Sequence, residues 1–470
     1  MNNISAYIWN FISKFGGQVL WLITTMVLSR FLAPSEFGVI GVLSIIFMVA
    51  NTLTESGLGG ALVIQKELLK EDCSTISVFN IVVSVLIYII IFVCADTIEE
   101  FYAVDGLANV TRILSLVFVV NAWGIVPRTI LYRELRFKAM CIISLIAVTI
   151  SAIIAIILAF FDFGVYSLVS YQLVLALINT IGLFMMSHYR LCLKFRMSSF
   201  RKLFGFGFYT TITGVLDTIY ENILAAVFGK FLNITQAGYL SQAKKIEEAS
   251  AQSLLSTVNN TAFPILAKKK NDIEAFKEEA DTIITTVPLL IFPLLVVIGI
   301  YSKEIIGILF GEKWLPASEY LSLLVLAGAF MIYDAINRNF IKSLGCVDRL
   351  FIYTIIKRTV GCCVIITFAV VSVHMILYGY IISALFGFLL NCQLYSKIIK
   401  ERLLKNIVKS LKSMAIILPL FLCIYCIYII MPNIIIKIIT SILLLSIYYL
   451  YILPVLGVNM VAKIKSKLNI

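Results

Sequence analysis

Several ionisable and amide residues sit where almost every neighbour is apolar. Asp217, Glu221, Lys244, Lys245, Asp334, Asn337 and Arg338 all fall inside or beside long hydrophobic runs. A charge facing hydrocarbon costs about 2.5–3.5 kcal/mol or more, so such groups must meet partners, water or a ligand. Their spacing says which way they point. Thr210, Thr213, Asp217, Tyr220 and Glu221 share one helical face, as do Ser241, Lys245, Glu248, Gln252, Ser256 and Asn259. Lys14, Gln18, Thr25 and Ser29 form a third stripe, and Ser44, Met48, Asn51 and Glu55 a fourth. Asp334 and Arg338 are placed to pair at i,i+4.

This chemistry is binding, not bond-making. Lys14, Arg30, Arg112, Lys244, Lys245 and Arg338 are the candidate groups for an anionic substrate. Asn51, Gln252, Asn259 and Asn337 could serve a neutral polar one, and Asp217, Glu221, Glu55 and Asp334 are candidates for ion coupling by Na⁺ or H⁺. The competing reading is that Lys244–Glu248 and Asp334–Arg338 merely neutralise one another. Five striped helices make one shared polar cavity between two lobes the more economical expectation. No phosphate-binding loop or dinucleotide fingerprint is present, and no cofactor is expected. His188 and His374 are expected at opposite membrane edges as solvated loop residues. The ten cysteines are scattered, and neither Cys362-Cys363 nor Cys423–Cys426 has a nearby His or carboxylate, so a metal centre is not expected.

The elements that carry these residues are set by composition. Of 470 residues, 61% are hydrophobic and 14% charged, far too apolar for a soluble chain of this size. The expected fold class is an all-α polytopic membrane protein with fourteen spans, centred near residues 20, 48, 86, 117, 150, 175, 216, 250, 290, 330, 363, 388, 420 and 445. The first run reads as a retained span and not a cleaved leader. The eighth is interrupted by Lys244, Lys245, Glu247 and Glu248.

Charge sets the orientation. With the N-terminus cytoplasmic, 29 of the 38 Lys and Arg fall on the inside, among them Lys342, Arg349, Lys357 and Arg358 in the segment after span ten. The net charge of +12 is thereby explained by topology, with no nucleic-acid partner implied. The expected lobes are 1–195 and 196–400, six spans each, related by a pseudo-two-fold along the membrane normal. Residues 401–470 add two C-terminal spans. The segment Pro127–Lys138 reads as an interfacial helix.

An internal echo supports the duplication. Phe31-Leu32-Ala33-Pro34-Ser35-Glu36-Phe37-Gly38 and Phe231-Leu232-Asn233-Ile234-Thr235-Gln236-Ala237-Gly238 agree at Phe, Leu and Gly, each between paired apolar runs.

Several local patterns resemble a known family. They are Ser29–Gly38, Glu55–Val63, Arg133–Lys138, Phe163–Val169, Gly229–Leu232 with Ala237–Ala243, Phe263–Leu266 and Gly311–Trp314, in family order. The chain resembles the polysaccharide-repeat flippases, of the Wzx and teichuronic-acid-export type, within the multidrug/oligosaccharidyl-lipid/polysaccharide exporter superfamily. That resemblance implies a two-lobed bundle with alternating access in a bacterial inner membrane, and no enzymatic step. The implied cargo is an undecaprenyl-pyrophosphate-linked oligosaccharide for O-antigen, capsule or exopolysaccharide. A polysaccharide polymerase and a chain-length regulator are the implied partners, and spans 13 and 14 would help pass the lipid tail. The alternatives are an exporter of small cationic compounds and a membrane-embedded polysaccharide-processing enzyme.

Overall fold

The computed structural model describes residues 3–55, 62, 69–189, 192 and 194–455. The chain is mostly helical in these, with short turns between helices. In order the helices are α1 (Asn3–Phe31), α2 (Pro34–Glu55), α3 (Lys70–Tyr102), α4 (Leu107–Leu114), α5 (Leu116–Arg133), α6 (Phe137–Phe160), α7 (Val165–Ser187) and α8 (Met197–Phe231). There follow α9 (Ile234–Lys268), α10 (Ile273–Ile300), α11 (Ser302–Phe310), α12 (Ala317–Ser343), α13 (Val347–Ala369), α14 (Val373–Ile399), α15 (Leu403–Ile430) and α16 (Ile434–Ile447). Among the described residues, 11 helices are long and apolar enough to cross a membrane, α4 and α5 together counting as one. Only helices and closed barrels satisfy the backbone in hydrocarbon, so this is a multi-pass helical membrane protein.

Two expectations need correction. Pro127–Lys138 is not a separate interfacial helix. α5 runs through Pro127 to Arg133 as part of a candidate span, and the chain turns at Leu135 (φ 54°) before α6. Leu131 is fully buried there, and burial of that apolar face keeps the helix going past the proline. Lys357 and Arg358 are not loop cations. Gly345 (φ 79°) makes the turn and α13 starts at Val347, which puts Lys357 about 15 Å into the helix.

The chain forms two compact units, Met1–Ser241 with Leu309–Trp314, and Gln242–Ile308 with Leu315–Ile470. In the first, α1 packs on α6, α6 and α5 on α7, α3 on α5, and α2 on α8. α2 and the start of α9 also cross at Gly38 and Gly238. A Cβ on Gly38 would lie 1.8 Å from the Ile234 carbonyl oxygen, and one on Gly238 would lie 1.9 Å from that of Pro34. The two glycines of the sequence echo thus meet each other, with matching contacts on each side. Residues 309–314 complete this end of the unit. Lys313 Nζ donates to the carbonyl oxygens of Leu32 (2.6 Å) and Arg30 (3.2 Å), placing a cation at the C-terminus of α1. Trp314 is fully buried, donates to Ser29 O (3.1 Å) and packs edge-on against Phe37.

In the second unit, α12 packs on α14 and α10, α13 on α14, and α15 on α10. α10 carries Pro288 and Pro293. Pro293 has no N–H to offer the Leu289 carbonyl four residues back. The buried Tyr448 hydroxyl fills that vacancy at 3.1 Å, and Tyr449 donates to the next carbonyl, Leu290 O, at 2.7 Å. Tyr301 adds a bond to Ser441 at 2.8 Å. Tyr448 of the C-terminal segment therefore fills the gap that Pro293 leaves in α10.

Candidate functional site

The densest buried charge lies in the second unit, on α12, α13 and α14. Lys357 Nζ donates to both carboxylate oxygens of Asp334, at 2.8 and 3.0 Å, and Asn391 Nδ2 donates to Asp334 Oδ1 at 2.7 Å. The Lys357 side chain is 3% exposed and that of Asp334 13%. Arg358 is buried beside them, and Arg338 on α12 adds its field to the carboxylate. One anion is thus surrounded by three cations. The expected Asp334–Arg338 pair is replaced by a tighter one, because Lys357 approaches Asp334 from a facing helix and bonds both oxygens. Asn337, one turn from Asp334, is fully buried. Its Nδ2 donates to Tyr333 O at 2.9 Å, and its Oδ1 has no hydrogen-bond partner.

α9 carries a second cluster. Lys244 and Glu248 pair at 3.7 Å, as their i,i+4 spacing allows. Lys245 is half-buried, and Glu247 is buried with its carboxylate against Gly328 of α12. The Gln242 amide on the same helix is fully buried, with neither side-chain atom hydrogen-bonded.

In the first unit the candidate charges occupy separate places. Arg112 bonds Asp96 at 2.6 Å and lies over the Phe92 ring at 5.0 Å. Glu55 pairs with Arg128 at 3.3 Å, and Asn51 is half-buried. Arg30 is exposed and lies against Gly311, its Nη1 2.6 Å from where a Cβ would stand. The side chains of Lys14, Asp217, Glu221, Gln252 and Asn259 lie outside the described residues. Among the described residues no group of His, Cys, Asp and Glu is arranged to hold a metal ion. His188 is exposed at the end of α7, and His374 contacts Glu319 at 3.2 Å.

The structure adds Lys357, Arg358 and Asn391 to the candidate set. A signal for the first two existed: Gly345 ends one helix, and Lys357-Arg358 then falls well inside the next apolar run. Asn391 carried none, since one amide in a span has no unique partner.

The second unit also holds an open apolar groove of about 590 Å³ between α10, α12 and α15. Phe292, Val296, Leu326, Leu418 and Phe421 line it, with Tyr425 and Tyr428 adding hydroxyls. An aliphatic chain suits such a wall, for which a sugar or a phosphate would have to surrender its hydration.

A family model described as "polysaccharide biosynthesis protein" matches residues 27–319. The succinoglycan biosynthesis transport protein ExoT of Rhizobium meliloti is 26% identical over 74% of this chain and 71% of its own length. The teichuronic acid biosynthesis protein TuaB of Bacillus subtilis is 23% identical over 73% of this chain and 71% of its own. The lipopolysaccharide biosynthesis protein WzxC of Escherichia coli is 25% identical over 66% and 63%. Among solved structures, the lipid II flippase MurJ in an inward closed conformation aligns with a TM-score of 0.74. It does so at 18% identity, over 94% of this chain and 99% of that one. An inward-facing multidrug-resistance MATE transporter aligns at 0.64, over 82% of this chain and 96% of that one. The last two likenesses speak for the fold.

Proposed function

The chain belongs to the polysaccharide biosynthesis protein family, and from that premise we propose that it is a flippase for lipid-linked oligosaccharide repeat units. It carries them across a bacterial inner membrane by alternating access, with no covalent step. The carrying observation is the family match over residues 27–319. Relatives named for three different polysaccharides align over two thirds or so of the chain. Cargoes so different in sugar call for recognition of a shared anchor and tolerance of the glycan.

The physical chemistry agrees with this reading. A diphosphate leaving water needs cations with few competing anions. Arg338, Lys244 and Lys245 in the second unit are the proposed groups, with Arg30, Arg112 and Lys14 of the first as further candidates. Asn51, Gln252, Asn259 and Asn337 are proposed for the sugars. The apolar groove along α15 suits the polyprenyl tail, which then never needs to enter water. Asp217 and Glu221, with Glu55, remain the proposed coupling carboxylates. Eleven candidate spans together with the long helices α1, α8 and α9 are compatible with fourteen crossings; the division into six and six plus a C-terminal pair, with both termini cytoplasmic, belongs to the same proposal.

The test is made in cells. Deleting the gene should abolish surface polysaccharide and accumulate lipid-linked repeat units in the inner leaflet, both reversed by the wild-type gene. Normal surface polysaccharide in the deletion strain, or altered drug sensitivity alone, would direct the reading to a different cargo.

A further inference from the structure

We propose that Gly311–Trp314 is a releasable clip. It seats where α1 ends and where α2 and α9 begin, and it must leave that seat before α2 and α9 can part. This deepens the alternating-access reading and rests on it, by naming the piece that holds one end of these helices shut.

Residues 309–314 join the first unit by contact and not by sequence, as a short separate segment. Trp314 is the centre of it. Its ring is fully buried and meets Phe37 of α2 edge-on at 5.2 Å and Tyr239 of α9 at 6.0 Å. Those two aromatics are the chain neighbours of Gly38 and Gly238, the glycines that let α2 and α9 cross at backbone contact. The indole N–H donates to Ser29 O of α1 at 3.1 Å. One side chain thus touches three helices, and its seat lasts only while α2 and α9 stay at closest approach.

The ties are of a kind that water can replace. Ser29 and Arg30 present carbonyls from the last turn of α1, where the helix itself supplies no donor, and Leu32 follows them. Trp314 takes the first, and Lys313 Nζ takes those of Arg30 (3.2 Å) and Leu32 (2.6 Å). Lys313 is exposed, so water can meet its ammonium when the clip leaves. Gly311, at φ 98°, lets the segment turn in against Arg30, whose Nη1 lies 2.6 Å from where a Cβ would stand. A loop that merely packs on a bundle can be held in place without harm. A clip held in place stops transport.

Two measurements test this. In the first, Trp9, Trp21 and Trp123 are replaced by Phe, so that Trp314 alone fluoresces in the purified protein. Acrylamide should quench it weakly. Gly38→Val, which wedges α2 away from α9, should raise the quenching constant severalfold, and Gly238→Ala should do the same should the valine variant not fold. In the second, Ala33→Cys and Lys313→Cys are placed in a chain lacking its ten native cysteines and joined by a reducible bis-methanethiosulfonate linker. In proteoliposomes the linked protein should lose translocation of a fluorescent polyprenyl-diphosphate oligosaccharide and regain it on reduction with dithiothreitol. Translocation that continues with the link in place overturns the proposal. So does a Trp314 that stays shielded in both glycine variants. The unlinked cysteine pair, run alongside, tests the transport reading itself: no translocation there fails that cargo, and the quenching measurement then judges the clip.

Discussion

Three cations around one carboxylate look wasteful until each is given a task. Lys357 neutralises Asp334 by direct contact, and Arg338 and Arg358 add their field to the same carboxylate. Removing one partner of such a buried pair strands the other. Lys357→Met should therefore cost about 3–5 kcal/mol of stability, and adding Asp334→Asn should recover most of it, as thermal unfolding would show. Glu401 makes a pH prediction at the end of α14. Burial works against its charge, but bonds from Lys405 (2.9 Å) and Lys409 (3.3 Å) prevail and hold its carboxyl below the usual 4.5. Its folded pKa is lower than its unfolded one. The stability it contributes is thus complete above pH 4.5 and lost as pH falls through the folded value. Glu401→Gln should flatten the acid limb of a stability–pH curve and leave the neutral region level. An unchanged acid limb would remove Glu401 as its source. The sequence showed that Asp334 and Arg338 were costly in a membrane, because cost depends on residue type and depth alone. It did not show Lys357 as the partner of Asp334, because that needs the register of α13 against α12, which hydropathy does not carry.

At the level of the element, two devices let helices meet where sequence gave only a hint. Gly38 and Gly238 were visible as an echo in two turns. That they touch is a three-dimensional fact, since each would place a Cβ inside the backbone of the other's helix. Gly38→Val or Gly238→Val should abolish export while the protein stays in the membrane. Gly17→Ala, where a Cβ meets nothing within 4 Å, should be tolerated and should favour α1 by up to about 1 kcal/mol. Surface polysaccharide and membrane protein level, measured together, check both. The second device is the repair of α10. Tyr448→Phe keeps the ring but leaves the Leu289 carbonyl unmet, and should cost about 1–3 kcal/mol. Tyr425→Phe removes a hydroxyl at the apolar groove and should cost little, which separates a repaired carbonyl from a general loss of polarity. Prolines in α10 were legible from the sequence, but the tyrosines that answer them lie some 150 residues later and share no periodicity with them.

At the scale of the whole molecule, the described residues put the Asp334–Lys357 pair inside packed helices and leave many large apolar side chains exposed, as lipid-facing helices do. Helix content and multi-pass character were legible because hydropathy is local and cumulative. The interfacial helix expected at Pro127–Lys138 was not found, since local amphipathicity cannot reveal that α5 buries Leu131. At this scale the account predicts that Arg338→Ala and Lys244→Ala each lower surface polysaccharide at constant protein level. Arg201→Gln, at an exposed position near the start of α8, should not. The most direct measurement of the central claim uses proteoliposomes carrying a fluorescent polyprenyl-diphosphate oligosaccharide, with a membrane-impermeant quencher reading the outer leaflet. The account predicts that vesicles with the protein equilibrate label between leaflets far faster than empty ones, and that Arg338→Ala slows this. Equal rates with and without the protein, under every ion gradient tried, would contradict it.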